Sequence, residues 1–160
     1  MLSEGAQAPQ FEGKDQSGRN LKLSELLESG PVLLYFYPAD FTPICTAQAC
    51  AFRDRAEDLA RHSVQIVGVS PQSEDSHQRF SSTYDLGFPL IPDRNKTIIR
   101  RYGVDGPLGF GVRRATFLIG QDGRIRKRVV SDFFVGSHTD FIRSVLAEEA
   151  GDPEAGGGNP

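Results

Sequence analysis

The chain of 160 residues contains only two cysteines, one methionine and no tryptophan. So few thiols exclude a disulfide-stapled secreted scaffold, in which several bridges substitute for a small core. No run approaches the ~20 consecutive apolar residues of a membrane-spanning helix. The opening MLSEGAQAPQFEG has no apolar stretch of signal-peptide length. A basic excess is missing too: 18 Lys and Arg stand against 21 Asp and Glu, a net charge of -3, which leaves no field to attract nucleic acid or an anionic membrane. The expected partners are therefore small molecules or proteins, and the expected compartment is the cytoplasm. The three histidines, His62, His77 and His138, are scattered, which argues against a zinc site with its four ligands.

With 38% hydrophobic and 24% charged residues, the composition is that of an ordinary globular chain. A chain of this size buries roughly two thirds of the surface it exposes when unfolded. The expected organisation is one domain over residues 1–150, followed by a Gly- and Pro-rich flexible tail, GDPEAGGGNP, over 151–160. Asp15-Gln16-Ser17-Gly18 predicts a turn within an N-terminal β-hairpin, and Ser24 is expected to cap a short helix with Leu26 and Leu27 inward. VLLYFY (32–37) and VQIVGVS (64–70) read as strands buried on both faces, and FPLIPD as a third. Helices are expected over 43–61, marked by Ile44, Ala47, Ala51, Leu59 and Ala60, over 73–84, and within KTIIRRYGV up to Gly103. ATFLIG and IRKRVV flank Gln121-Asp122-Gly123-Arg124, a strong hairpin turn. A last helix over 137–150 is expected to bury Phe141, Ile142, Val145 and Leu146, with His138 at its start; Phe133 and Phe134 are expected to pack beneath it, the alternative being a partly exposed patch near the active site that contacts a reductant or a second subunit. Strands alternating with helices predict an α/β domain with a central mixed sheet flanked by helices.

Both cysteines fall within YPADFTPICTAQAC, at 45 and 50. This stretch follows a central strand, the edge at which open α/β sheets bind ligands. Thr42 fits the helix N-cap and Pro43 the first helical position, which holds Cys45 in the first turn. The thiolate is the nucleophile, and the helix dipole favours it by only ~0.3 to 1 kcal/mol. A guanidinium at about 4 Å contributes several times more. A reactive Cys45 therefore requires an arginine from elsewhere in the chain. Cys50 lies five residues on, and positions five apart in an intact helix hold their Cα atoms roughly 8 to 9 Å apart. A disulfide tolerates about 7 Å at most. Cys45 and Cys50 can bond only if the first turns of the helix unwind.

Pro38, Thr42 and Cys45 stand as P-x-x-x-T-x-x-C, and the whole stretch resembles the active site of the peroxiredoxins, in the bacterioferritin comigratory protein or peroxiredoxin Q subfamily. GAQAPQF, VQIVGVSPQS, FPLIPD, RRATFLI and GSHTDFIRSVL resemble further parts of that family, so the likeness spans nearly the whole chain. It implies a thioredoxin-like fold and a thiol-dependent peroxidase for hydrogen peroxide and organic hydroperoxides, working without metal, flavin or haem. By resemblance, Cys45 is the peroxidatic cysteine and Cys50 the resolving one, joined in an intramolecular disulfide during turnover. Thr42 directs its hydroxyl at the thiolate and peroxide, Pro38 shields the thiolate, and Arg114 supplies the charge. The backbone N–H groups of Ile44 and Cys45 complete the peroxide site. Thioredoxin or a glutaredoxin-type dithiol is the implied reductant, and the implied state is a monomer, with a dimer as the alternative.

Ile44 and Ala39 stand where many members have Gly and Lys, so a stiffer first turn and one basic neighbour fewer are expected. Gln48 stands where many peroxiredoxins have Glu, and its amide can still pair with Arg114. Strand alternation sends Arg113 and Arg114 to opposite faces, so only one can reach Cys45. Two rival functions share these residues: a thioredoxin-like disulfide reductase, although that chemistry usually employs C-x-x-C, and a redox-sensing binding module or holdase.

Overall fold

A strand that is apolar on both faces must lie between two layers of structure. In the computed structural model, which describes residues 1–149, β1 (Glu12–Lys14) and β2 (Asn20–Lys22) form the expected antiparallel hairpin. β3 (Val32–Phe36) follows, and all five of its residues are buried. The main sheet adds β4 (Gln65–Ser70), β5 (Leu90–Pro92), β6 (Ala115–Ile119) and β7 (Ile125–Val130), in the spatial order β5-β4-β3-β6-β7. β4 and β5 run parallel to β3, β6 runs antiparallel to it, and β7 pairs antiparallel with β6. The result is the mixed sheet of a thioredoxin-like fold.

Alternation along β3 makes two cores. Val32, Leu34 and Phe36 face Leu23 and Leu27 of α1 (Leu23–Ser29), Ile98 and Ile99 of α4 (Thr97–Arg101), and the hairpin's Leu21. Leu33, Tyr35 and Tyr37 face Phe52 and Leu59 of α2 (Pro43–Arg61), Phe80 of α3 (Glu74–Tyr84), and Phe141, Ile142 and Val145 of α5 (Val135–Glu149). Because β3 and β6 are antiparallel with Phe36 opposite Ala115, the exit of β3 lies beside the start of β6. That register brings residues 113 and 114 to the loop that leads into α2.

Several expectations need correction. Lys22 occupies the cap position of α1 and Ser24 sits inside the helix; Leu23 and Leu27 are its buried pair, and Leu26 is only half-buried. α2 has the expected bounds, but its buried face is Cys45, Gln48, Ala49, Phe52 and Leu59, while Ala47 and Ala60 are exposed. α5 begins two residues earlier than expected, at Val135, and Leu146 is half-buried. Phe133 and Phe134 are not packed beneath it: they are 75% and 72% exposed. The tail 151–160 lies outside the described residues.

His138, expected as a helix-start residue, is fully buried. Its Nε2 lies 3.0 Å from the Ser131 carbonyl, which can only accept, so Nε2 carries the proton. Nδ1 then accepts from the Thr116 hydroxyl at 2.9 Å. Burial is the largest influence on this imidazole and holds its pKa below the ordinary value of 6.5; the Arg114 charge acts in the same direction, against the Ser131 carbonyl and Asp132. The unfolded chain therefore takes up a proton here before the folded one does, and stability drains away as pH falls through about 6.5. His138→Gln is expected to flatten the dependence of unfolding free energy on pH below about 6.5. Denaturant titrations across that range check the slope, and an unchanged slope rejects the assignment.

Candidate active site

The loop from Pro38 to Thr42 leaves the sheet at the carboxyl end of β3, and α2 starts directly after it. Pro43 supplies the fixed φ of a first helical residue, which sets Cys45 two residues further on, still in the first turn. Thr46 N bonds to Thr42 O at 2.8 Å, so the amides of Ile44 and Cys45 precede the first closed turn and point out of the helix start. Thr42 holds the cap position without capping: its hydroxyl donates to Ala39 O at 3.1 Å and braces the loop instead of binding a helix amide.

Cys45 is 1% exposed. Arg114 Nη1 lies 3.1 Å from its Sγ and 3.0 Å from Gln48 Oε1, so one guanidinium nitrogen bridges the thiol and the amide one turn along the same helix. Arg114 shares the sheet face of Thr116 and Leu118, the face that α2 covers. Arg113 turns the other way and pairs with Asp132 Oδ2 at 2.9 Å.

Asp132 was not singled out from the sequence, yet it fixes Arg114. Its Oδ1 accepts from Arg114 N at 2.9 Å and its carbonyl from Arg114 Nε at 3.2 Å. The signal was available: the β6–β7 register pairs Ala115 with Val130, and extending it outward sets 131 and 132 opposite 114 and 113.

Above this pair opens a cleft of about 560 Å³ lined by Pro38, Ile44, Phe110, Val112, Phe133 and both arginines. Phe110 and Phe133, 78% and 75% exposed, form its rim. Cys50 is half-buried further along α2, and both thiols are free. The helix runs unbroken from Pro43 to Arg61, so the separation that forbids a bond in an intact helix applies to this arrangement. Tyr35, buried on the same side of the sheet, is held well above the ordinary phenol range, chiefly by burial and then by Cys45 and Asp40, and stays a neutral hydroxyl. Among the described residues no group of three His, Cys, Asp or Glu side chains could hold a metal ion, and no helix is long and apolar enough to cross a membrane.

Residues 5–128 match the AhpC/TSA family. The chain is 35% identical to Peroxiredoxin Bcp of Escherichia coli K12 over 93% of its own length and 98% of that protein. It is 38% identical to a chloroplastic Peroxiredoxin Q of Gentiana triflora over 87% of its length, and spans 64% of that longer relative. The crystal structure of Peroxidoxin BcpB from Mycobacterium tuberculosis superposes with a TM-score of 0.85 at 35% identity, covering 92% of this chain and 98% of that one. The fold, the matched residues and these likenesses agree: the chain belongs to the AhpC/TSA family, in the peroxiredoxin Q and Bcp group of thiol-dependent peroxidases.

Proposed function

We propose that this chain reduces hydrogen peroxide and organic hydroperoxides through Cys45 and resolves the product through Cys50. The observation that carries the reading is the 3.1 Å contact between Arg114 Nη1 and Cys45 Sγ, in a helix first turn beneath an open cleft. The Cys45 thiolate attacks the terminal peroxide oxygen; the O–O bond breaks, and the leaving oxygen takes a proton to depart as water or an alcohol. Cys45 becomes a sulfenic acid. Arg114 and the Ile44 and Cys45 amides stabilise the charge that passes to the leaving oxygen, Thr42 orients the peroxide, and Pro38 keeps water from the sulfur. The first turns of α2 then open, Cys50 attacks the sulfenic sulfur, a disulfide forms and water leaves. A dithiol donor such as thioredoxin or a glutaredoxin-type protein reduces the bridge, which suits a reducing compartment such as the cytoplasm. The apolar rim of Phe110 and Phe133 suits organic hydroperoxides as well as hydrogen peroxide. An internal bridge needs no second subunit, so a monomer suffices.

One equivalent of peroxide added to the reduced protein is expected to give a Cys45–Cys50 disulfide by peptide mass spectrometry. Cys50→Ser is expected to react once at a wild-type rate, halt as the sulfenic acid, and lose at least about tenfold in thioredoxin-coupled turnover. Slow peroxide consumption with no bridge rejects the proposal. Insulin reduction without peroxidase activity favours a disulfide reductase, and peroxide-dependent binding without turnover favours a redox-sensing module.

A further inference from the structure

Asp40, in the middle of the loop between β3 and α2, is 6% exposed, and no arginine or lysine pairs with it among the described residues. Three donors converge on its carboxylate: Tyr37 Oη at 2.6 Å on Oδ1, and Ser76 Oγ and His77 Nδ1 at 2.7 Å each on Oδ2. Since a carboxylate only accepts, His77 carries its proton on Nδ1. Its Nε2 faces Ser70 Oγ at 3.3 Å, and that oxygen in turn accepts from Gln72 N at 3.2 Å. Hydroxyl, imidazole and carboxylate stand in the order used by serine hydrolases, but Ser70 and His77 are fully buried and no substrate can reach them.

What the network does join is the active-site loop to two other elements. Asp40 belongs to the active-site loop, Ser76 and His77 to the start of α3, and Ser70 to the end of β4. Phe41, the next residue, makes a second tie: its ring packs 5.1 Å from Phe80 and 6.2 Å from Tyr84, both on α3. Phe41 has φ of +64°, a left-handed conformation that is costly for a bulky residue and persists only where neighbours enforce it. The loop is therefore held closed against its own backbone preference. Cys45 lies four residues beyond Phe41, in the turn that must unwind before Cys50 can reach it.

We propose that Asp40, with Ser76 and His77, is a latch that sets how often the first turn of α2 opens, and so decides the fate of the Cys45 sulfenic acid. Asp40, Ser76 and His77 are positioning residues; none touches the sulfur. The inference rests on the roles proposed above for Cys45 and Cys50. In the closed state a second peroxide can oxidise the sulfenic acid to the sulfinic acid, releasing water or an alcohol; in the open state Cys50 condenses with it and water leaves. A latch that keeps the open fraction small slows condensation in proportion. Loosening it raises a small open fraction several-fold while the closed fraction stays near one.

The effects on the two steps should therefore separate. Ser76→Ala removes one hydrogen bond to a charged group and is expected to speed disulfide formation about fivefold, with a matching fall in sulfinic acid at high peroxide. The first oxidation of Cys45, followed by stopped flow, should change less than about twofold because the closed state still dominates. Asp40→Asn weakens all three contacts and should exceed tenfold in the same direction. Amides at the start of α2 should exchange hydrogen faster by similar factors. Ile98→Val, in the opposite core, serves as a control that lowers thermal stability and leaves the sulfinic-to-disulfide ratio unchanged. An unchanged ratio in Ser76→Ala, with a Cys45–Cys50 bridge forming normally in the wild type, overturns the latch alone; this holds even if Asp40→Asn fails to fold. Absence of that bridge in the wild type overturns the Cys45–Cys50 reading and the latch with it.

Discussion

Cys45→Ser is expected to abolish peroxide turnover, by more than about a thousandfold in a thioredoxin-coupled assay, while leaving the fold in place. A thiol is a few per cent thiolate at neutral pH even unassisted, whereas a serine hydroxyl ionises far above that range and is a poor nucleophile toward a peroxide oxygen. Arg114 cannot make up such a difference. The substitution is mild structurally, because the smaller hydroxyl can accept the same hydrogen bond from Arg114 Nη1 and the site is already polar on that side. Cys50 cannot stand in for the lost thiol: the Arg114 contact belongs to Cys45, and Cys50 sits five residues along the helix. The measurement pairs the coupled assay with thermal melting. Full loss with a melting temperature within a few degrees of wild type supports the nucleophile; turnover that survives Cys45→Ser moves the chemistry to Cys50 or away from the thiols altogether.

How far the sequence exposed this site varies residue by residue. The bounds of α2 were legible because Thr42-Pro43 marks a helix start and no Gly or Pro interrupts the next 18 residues. Its buried face was not. Apolar spacing favours Ile44, Ala47 and Ala51, but the buried positions include Gln48, whose amide oxygen is satisfied by an arginine 66 residues away. A side chain whose burial depends on a distant partner leaves no local periodic signal. Arg114 was legible by strand alternation and by family resemblance together. The favoured core reading of Phe133 and Phe134 failed because an aromatic pair before an amphipathic helix is usually core; here the chain beyond β7 is pinned at Asp132, which is tied to both arginines and holds Phe133 at the cleft mouth. Asp40 and His77 gave no signal at all, since a buried polar cluster drawn from a loop, a strand and a helix has no sequence period.

Arg114→Ala is expected to lower the second-order rate of Cys45 oxidation by about 10²- to 10³-fold, the usual loss on removing one preorganised donor from a developing charge. The guanidinium is 5% exposed, so water cannot readily replace it. Its Nη1 is shared between Cys45 Sγ and Gln48 Oε1, and its Nε is spent on the Asp132 carbonyl. Truncation strands those acceptors in a buried setting, at a cost of about 1 to 3 kcal/mol in stability for each left without a partner. Arg114→Lys restores the charge but not the fork: a single ammonium cannot hold the Asp132 carbonyl and the Gln48 amide while also facing sulfur. Rates should therefore rank wild type, then Lys, then Ala. Arg113→Ala, which removes a half-exposed partner of Asp132, should cost only a few-fold. An Arg113→Ala variant as slow as Arg114→Ala would mean that Asp132, and not the charge beside Cys45, governs the rate, because Asp132 is bound by both arginines.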